Sequence, residues 1–138
     1  MKSKKLILIS LLTFLCALPG IYAFDALALS DRYYDVKLLA IATLVFRLTA
    51  GVLGALLIFK FQKLGSCLII SMWSYMILLH GYSTYRMLTG PWQFEFTWNA
   101  QNQFYLPAIG QMILIIAIGI TLIILSAKHW RESGRNFA

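Results

Sequence analysis

Four long apolar segments constrain the fold of this chain more than any other feature of its sequence. They cover residues 6–24, 38–59, 64–85 and 106–127, which is 19 to 22 residues each. At 1.5 Å rise per residue, a helix of that length crosses a hydrocarbon core of about 30 Å. Helices are expected because a backbone in lipid must pair its own polar groups. The sequence therefore predicts an all-α integral membrane four-helix bundle, as one domain over residues 1–138.

The composition agrees with a membrane-embedded chain. Hydrophobic residues make up 60% of the sequence and charged residues 12%, whereas soluble domains average about 45–50% and about 25%. The net charge of +7 raises the question of nucleic-acid binding. No basic patch is interleaved with aromatic residues on a polar helix, however, so we expect no nucleic-acid partner.

The basic residues are distributed so that they predict an orientation. Segments 2–5, 60–63 and 128–135 together hold eight Lys or Arg and one Glu, whereas the loops on the other side hold three basic and four acidic residues. Four crossings place the three basic segments on one side, and the positive-inside rule makes that side cytoplasmic. We therefore expect an N-in/C-in topology with a short cytoplasmic turn and two outer loops, in a plasma membrane or a bacterial inner membrane.

The first apolar segment also has features of a secretory signal peptide. Basic residues precede a short apolar run, and the sequence Ile21-Tyr22-Ala23 resembles a cleavage site. The isoleucine at the −3 position fits that reading poorly. We expect residues 1–23 to be retained as a membrane helix, with cleavage as the alternative.

Arg47 is the most informative single residue. It lies ten residues after Lys37 and thirteen before Lys60, close to the middle of the second apolar segment. An arginine at that depth costs about 2.5–3.5 kcal/mol on insertion scales, and its guanidinium does not lose its proton. None of the four apolar segments contains Asp or Glu. The sequence therefore predicts that Arg47 has a polar or charged partner of another kind.

Polar residues of the third and fourth apolar segments are candidate partners. Side chains on a helix lean towards its N-terminus, so Arg47 is expected to lean towards the outer side. The polar groups expected at that level, and taken as candidate ligand- or partner-binding residues together with Arg47, are Tyr75, His80, Tyr82 and Gln111. His80 and Tyr82 differ by about 200° around their helix, so the four side chains do not all line one cavity.

Three interpretations of Arg47 remain open on the sequence. The guanidinium can join helices by hydrogen bonds to tyrosine hydroxyls, Gln111 and backbone carbonyls. It can bind an anionic ligand or a lipid headgroup from the outer leaflet. It can also pair with a carboxylate on a partner subunit, which the absence of a counter-ion in this chain favours.

The outer loop before the fourth segment is rich in aromatic residues. From Pro91 to Asn99, aromatic and polar residues alternate strictly. In an extended strand this spacing puts the aromatic rings on one face, namely Trp92, Phe94, Phe96 and Trp98. Such a face suits the membrane interface or a docking surface for a partner.

The sequence contains no pattern typical of an enzyme. There is no nucleophile beside a base, no metal-ligand spacing, no phosphate loop and no paired carboxylate. His80 and His129 lie too far apart in depth to hold one heme, so we expect neither cofactor nor metal. The sequence favours a non-catalytic accessory, assembly or interaction subunit of a membrane complex, whose partner is another membrane protein or a second copy. The alternative is a protein that binds or transports an anionic or amphipathic small molecule, or a lipid, from the outer side.

Overall fold

The helices of the chain are defined in a computed structural model that describes residues 2–28, 34–89 and 105–135. Within these ranges the chain is helical apart from two short turns. In chain order the elements are α1 (Lys2–Ala17), α2 (Gly20–Ala28), α3 (Tyr34–Ala42), a π-helical segment (Thr43–Thr49), α4 (Ala50–Leu57), α5 (Gln62–Thr89) and α6 (Tyr105–Arg135).

Four stretches of these elements are long and apolar enough to cross a membrane. They are Lys4–Asp25, Lys37–Leu57, Gln62–Tyr85 and Ile109–Glu132, and they overlap the four segments predicted from the sequence. For the residues that the structure describes, the prediction of an all-α chain with four apolar helices is thereby confirmed. Helix α6 continues to Arg135, well beyond the predicted end at residue 127, so the basic tail prolongs the last helix.

The first apolar stretch contains a break between α1 and α2. Pro19 has no N–H to donate and its ring opposes a continuous helix. The turn is closed by hydrogen bonds from Leu18 N to Phe14 O at 3.2 Å and from Ile21 N to Leu18 O at 3.1 Å. The break leaves carbonyl groups at the end of α1 without helical donors.

A tight turn joins α4 to α5. Phe61 N donates to Leu57 O at 2.7 Å, and Gly65 N donates to Phe61 O at 2.8 Å. A Cβ atom on Gly65 would lie 2.4 Å from Ile58 N, so only glycine allows this close approach. The turn makes α4 and α5 an antiparallel pair.

The helices pack side by side in the order α1, α4, α5 and α6. Helix α5 packs closely against α4 and α6, and α1 packs against α4, whereas α1 and α6 touch at few points. The buried core comes from α1, α4, α5, α6 and the turn after α4, and comprises Ile9, Ala17, Ala50, Ile58, Ile69, Met72, Trp73, Met76 and Leu122.

Trp73 connects α5 to its close neighbour α6 and to the more distant α1. Its side chain is fully buried, and its Nε1–H donates to Thr13 Oγ1 at 3.0 Å. The ring also packs on Gly119, where a Cβ atom would lie 2.9 Å from Trp73 Cε3. A buried tryptophan N–H needs such a partner, so the Thr13 hydroxyl fixes the depth at which α1 meets α5.

Small residues of α4 are used for packing within the chain. A Cβ atom on Gly51 would lie 2.7 Å from Ala17 Cβ, and one on Gly54 would lie 2.9 Å from Ile69 Cγ1. Close helix approach through small residues is the usual way in which helices associate in lipid. Between α1 and α4, Ser10 Oγ adds a hydrogen bond to Ala55 O at 2.7 Å.

Candidate functional site

Arg47 lies in the π-helical segment of the second apolar stretch. The wider turn shows in the backbone, where the Ala50 N–H reaches Val45 O, five residues back. The Thr49 side chain adds a hydrogen bond from its Oγ1 to Leu44 O at 2.9 Å. π-Helical turns are rare in proteins, and those that occur are often found at functional sites. The half-buried Arg47 side chain therefore starts from a locally irregular backbone.

The guanidinium of Arg47 contacts the end of α1. Its Nε–H donates to the backbone carbonyl of Cys16 at 3.0 Å. In an unbroken helix that carbonyl would accept the Gly20 amide, but α1 ends at Ala17. Arginine near a helix C-terminus is favourable because the carbonyls there carry partial negative charge. Arg47 thus joins the second apolar stretch to the break in the first.

Gly20 provides the space for the arginine stem. The residue is buried, and a Cβ atom there would lie 3.0 Å from Arg47 Cδ and 3.1 Å from Arg47 Cγ. The Pro19-Gly20 pair therefore has two effects: the proline ends α1, and the glycine lets Arg47 pass close to the backbone of α2.

Tyr75 is anchored one helical turn before Arg47. Its hydroxyl lies 2.6 Å from Thr43 Oγ1, and Thr43 is fully buried. Both hydroxyls also reach the Leu39 carbonyl, Thr43 Oγ1 at 2.9 Å and the Tyr75 hydroxyl at 3.5 Å, so either hydroxyl can donate to the other. The Tyr75 ring stacks on Phe46 with centroids 5.8 Å apart. These contacts hold the Tyr75 hydroxyl close enough to Arg47 for the two groups to interact electrostatically.

His80 is a second residue of α5 that lies close enough to Arg47 to interact with it electrostatically. Its side chain is half-buried, and its Nε2 atom is buried without a hydrogen-bond partner in the described part of the chain. Its backbone carbonyl accepts the Thr84 hydroxyl at 2.7 Å. The imidazole therefore offers an unused polar atom near a fixed positive charge.

The remaining predicted residues lie elsewhere. Tyr82 is 61% exposed, and Gln111 is also exposed, on α6. Among the five candidates, the structure thus brings Tyr75 and His80 towards Arg47, and it places Tyr82 and Gln111 on the outer surface of the helices. The predicted aromatic face of Trp92, Phe94, Phe96 and Trp98 lies outside the described residues.

Sequence reasoning missed the residues that contact Arg47 most closely. Cys16 takes part through its backbone carbonyl and Gly20 through the absence of a side chain, so neither has a chemical signature of its own. Thr43 was detectable in principle, because it precedes Arg47 by four residues and so shares its helix face. Pro19 was the one sequence signal here, because a proline interrupts a helix and leaves carbonyl groups without donors.

The Cys16 carbonyl partly stabilises the positive charge of Arg47 but does not neutralise it. A guanidinium has five N–H donors, and among the described residues only the Cys16 carbonyl accepts one. Asp25, at the far end of the first stretch, is exposed. Groups of three or more potential metal ligands are absent from the described residues. The chemistry available is the binding of an anion or a carboxylate.

Comparisons with protein-family models, with curated proteins and with solved structures find no match to this chain. Its class is defined by its own features, namely a chain whose described residues are helical and include four stretches long enough and apolar enough to cross a membrane.

Proposed function

We propose that this chain is an integral membrane protein that serves as a non-catalytic accessory or assembly subunit of a membrane complex. Its termini and the α4–α5 turn lie on the cytoplasmic side, and it docks through the face that carries Arg47. The observation that carries the proposal is a permanent charge near the middle of an apolar stretch whose hydrogen-bonded partner is a neutral carbonyl.

The chemistry of Arg47 favours a carboxylate on another protein as the missing partner. A charge within a membrane is almost always paired or hydrated, and the four predicted apolar segments contain no Asp or Glu. A second copy of the same chain would lack a mid-membrane carboxylate for the same reason. A different membrane protein with an acidic residue in a helix therefore fits better than a homo-oligomer.

The test replaces the charge while keeping a hydrogen-bonding group. Arg47→Gln removes the charge but retains an amide donor for the Cys16 carbonyl, and Lys37→Gln removes an exposed charge from the same apolar stretch as a matched control. Each variant is extracted in a mild detergent, and its co-purifying proteins and its unfolding temperature are measured. We expect Arg47→Gln to lose the partner, because leaving a buried carboxylate unpaired costs roughly 2–5 kcal/mol. The control should keep it.

The contrary result is equally clear. If Arg47→Gln co-purifies with the same proteins as the wild type but unfolds at a much lower temperature, Arg47 only joins the helices and the proposal fails.

A second candidate function is favoured by the unpartnered Nε2 atom of His80. That atom, the Tyr75 hydroxyl and the Arg47 guanidinium could together hold the polar end of an anionic or amphipathic small molecule or a lipid that enters from the outer side. Purification of the chain without a protein partner, but with such a molecule bound in an Arg47-dependent way, would select this alternative.

A further inference from the structure

The row of helices has one open side, between α1 and α6. These two helices touch at few points, although both pack closely on their other neighbours. The opening contains a groove with a cavity volume of about 260 Å³, lined by Leu8, Leu12, Ala117, Ile118, Leu122 and Leu125 and by one threonine of α6. The groove is almost wholly apolar and faces the surroundings of the bundle.

The dimensions of the groove fit a hydrocarbon chain better than a helix. From Ala117 to Leu125 it runs along about 12 Å of helix axis, close to half of a hydrocarbon core of about 30 Å. Its cavity volume of about 260 Å³, spread over that length, gives a mean cross-section of about 22 Å², which is narrow for a helix about 10 Å across.

A second cavity of about 250 Å³ lies at the end of the groove towards the start of α1 and the end of α6. Its apolar floor includes Ile9 and also Leu125, which lines the groove as well, so the two spaces adjoin at Leu125. Its rim consists of polar side chains, namely Lys5, Lys128, His129 and Glu132. Lys5 and Lys128 are exposed and come from the two helices that flank the opening.

We propose that these two adjoining spaces together bind one anionic phospholipid of the cytoplasmic leaflet. The phosphate lies between Lys5 and Lys128, and one acyl chain lies in the groove between α1 and α6. The cytoplasmic leaflet is the anionic one and attracts basic side chains near its surface, which matches a rim whose two lysines outnumber its single glutamate. This inference rests on the membrane insertion and orientation given under the proposed function, but not on Arg47.

The headgroup half of the site is tested by charge removal. The variant Lys5→Gln/Lys128→Gln is compared with Lys60→Gln/Lys63→Gln, which removes the same charge on the same side in and beside the α4–α5 turn. Binding of dioleoyl phosphatidylglycerol and dioleoyl phosphatidylcholine to the purified full-length chain is measured by native mass spectrometry. We expect the wild type to prefer phosphatidylglycerol, and the first variant to bind it about 25-fold more weakly, at about five-fold per lysine. The control should bind it like the wild type.

The acyl-chain half is tested independently. Ala117→Trp fills the groove, whereas Ile124→Trp adds a ring to an exposed position of α6 outside it. We expect Ala117→Trp to weaken binding of dioleoyl phosphatidylglycerol while binding of the short-chain dihexanoyl form stays unchanged. Ile124→Trp should alter neither.

Three results would overturn the inference. They are an unchanged lipid preference in the Lys5/Lys128 variant, equal losses in both lysine pairs, and full displacement of the lipid by glycerol 3-phosphate, which would mark a site for a free phosphate. If any of these occurs while Arg47→Gln still releases the protein partner, the lipid site is refuted and the proposed function stands.

Discussion

At the scale of single residues, Arg47 combines a structural contact with an unneutralised charge. Its Nε–H satisfies the Cys16 carbonyl at the end of α1, and its stem lies against Gly20. These contacts fix where the guanidinium lies. The charge itself, which costs about 2.5–3.5 kcal/mol to place at this depth, is what we assign to a partner.

Thr13 and Ser126 allow a direct test of how buried hydroxyls contribute. Both are fully buried, but Thr13 accepts the Trp73 N–H, whereas Ser126 Oγ has no partner among the described residues. Thr13→Val leaves a buried donor unpaired and should lower the free energy of unfolding by about 1–3 kcal/mol. Ser126→Ala removes an unsatisfied group and should leave it unchanged or raise it.

Reversible unfolding in detergent micelles measures both variants. Equal losses of stability in Thr13→Val and Ser126→Ala would show that the Trp73–Thr13 hydrogen bond has no special role in setting the depth of α1.

The sequence identified the charge at this site but not its surroundings. Arg47 was conspicuous because a permanent cation in an apolar segment is rare. Its carbonyl partner belongs to the backbone, which has the same chemistry at every residue. Tyr82 and Gln111 were expected at the depth of Arg47, but depth does not define the rotation of a helix, and both side chains are exposed.

At the scale of elements, the two irregular helices meet each other. The break after α1 supplies a free carbonyl, and the π-helical segment supplies the arginine that bonds to it. Segment length and hydropathy predicted four crossings because both are sums over about twenty residues. The π-helical turn depends on local backbone hydrogen bonds such as that from the Ala50 N–H to Val45 O. Length and summed hydropathy carry no information about such bonds.

Two glycines of α5 should respond in opposite ways to alanine. In Gly65→Ala the new Cβ atom would meet the backbone of Ile58 at 2.4 Å from N and 2.5 Å from Cα, so the α4–α5 pair must separate. We expect a loss of about 1–3 kcal/mol in unfolding free energy, or more. Gly81→Ala meets nothing within 4 Å and should gain up to about 1 kcal/mol from helix propensity.

Thermal unfolding of the two variants in the same detergent decides the matter. A stable Gly65→Ala variant would mean that the turn between α4 and α5 is not as tight as the structure shows.

At the scale of the whole molecule, charge and packing have separate roles. Outside the apolar segments, eight basic residues and one acidic residue lie on one predicted side, and three basic and four acidic residues lie on the other. Most of the net charge of +7 thus comes from the basic residues that predict the orientation of the chain in the membrane. Arg47 is the one charge left over, and the proposed function assigns it to an interaction within the membrane.

The orientation is tested by labelling single cysteines. The native cysteines are first removed by Cys16→Ala and Cys67→Ser. One cysteine is then introduced at Asp25 or at Lys60, both of which are exposed. On intact cells we expect a membrane-impermeant maleimide to label Asp25→Cys. Lys60→Cys should be labelled only after the membrane is opened, and the reverse pattern would show an inverted protein.

The most direct test of the central claim is the mass and composition of the complex that contains this chain when it is extracted from its native membrane into lipid nanodiscs. We predict a complex in which the 15.7 kDa chain is present in fixed stoichiometry with a different membrane protein that has an Asp or Glu within a membrane helix. Recovery of the chain as a monomer, or only with copies of itself, would contradict the claim that Arg47 serves a partner subunit.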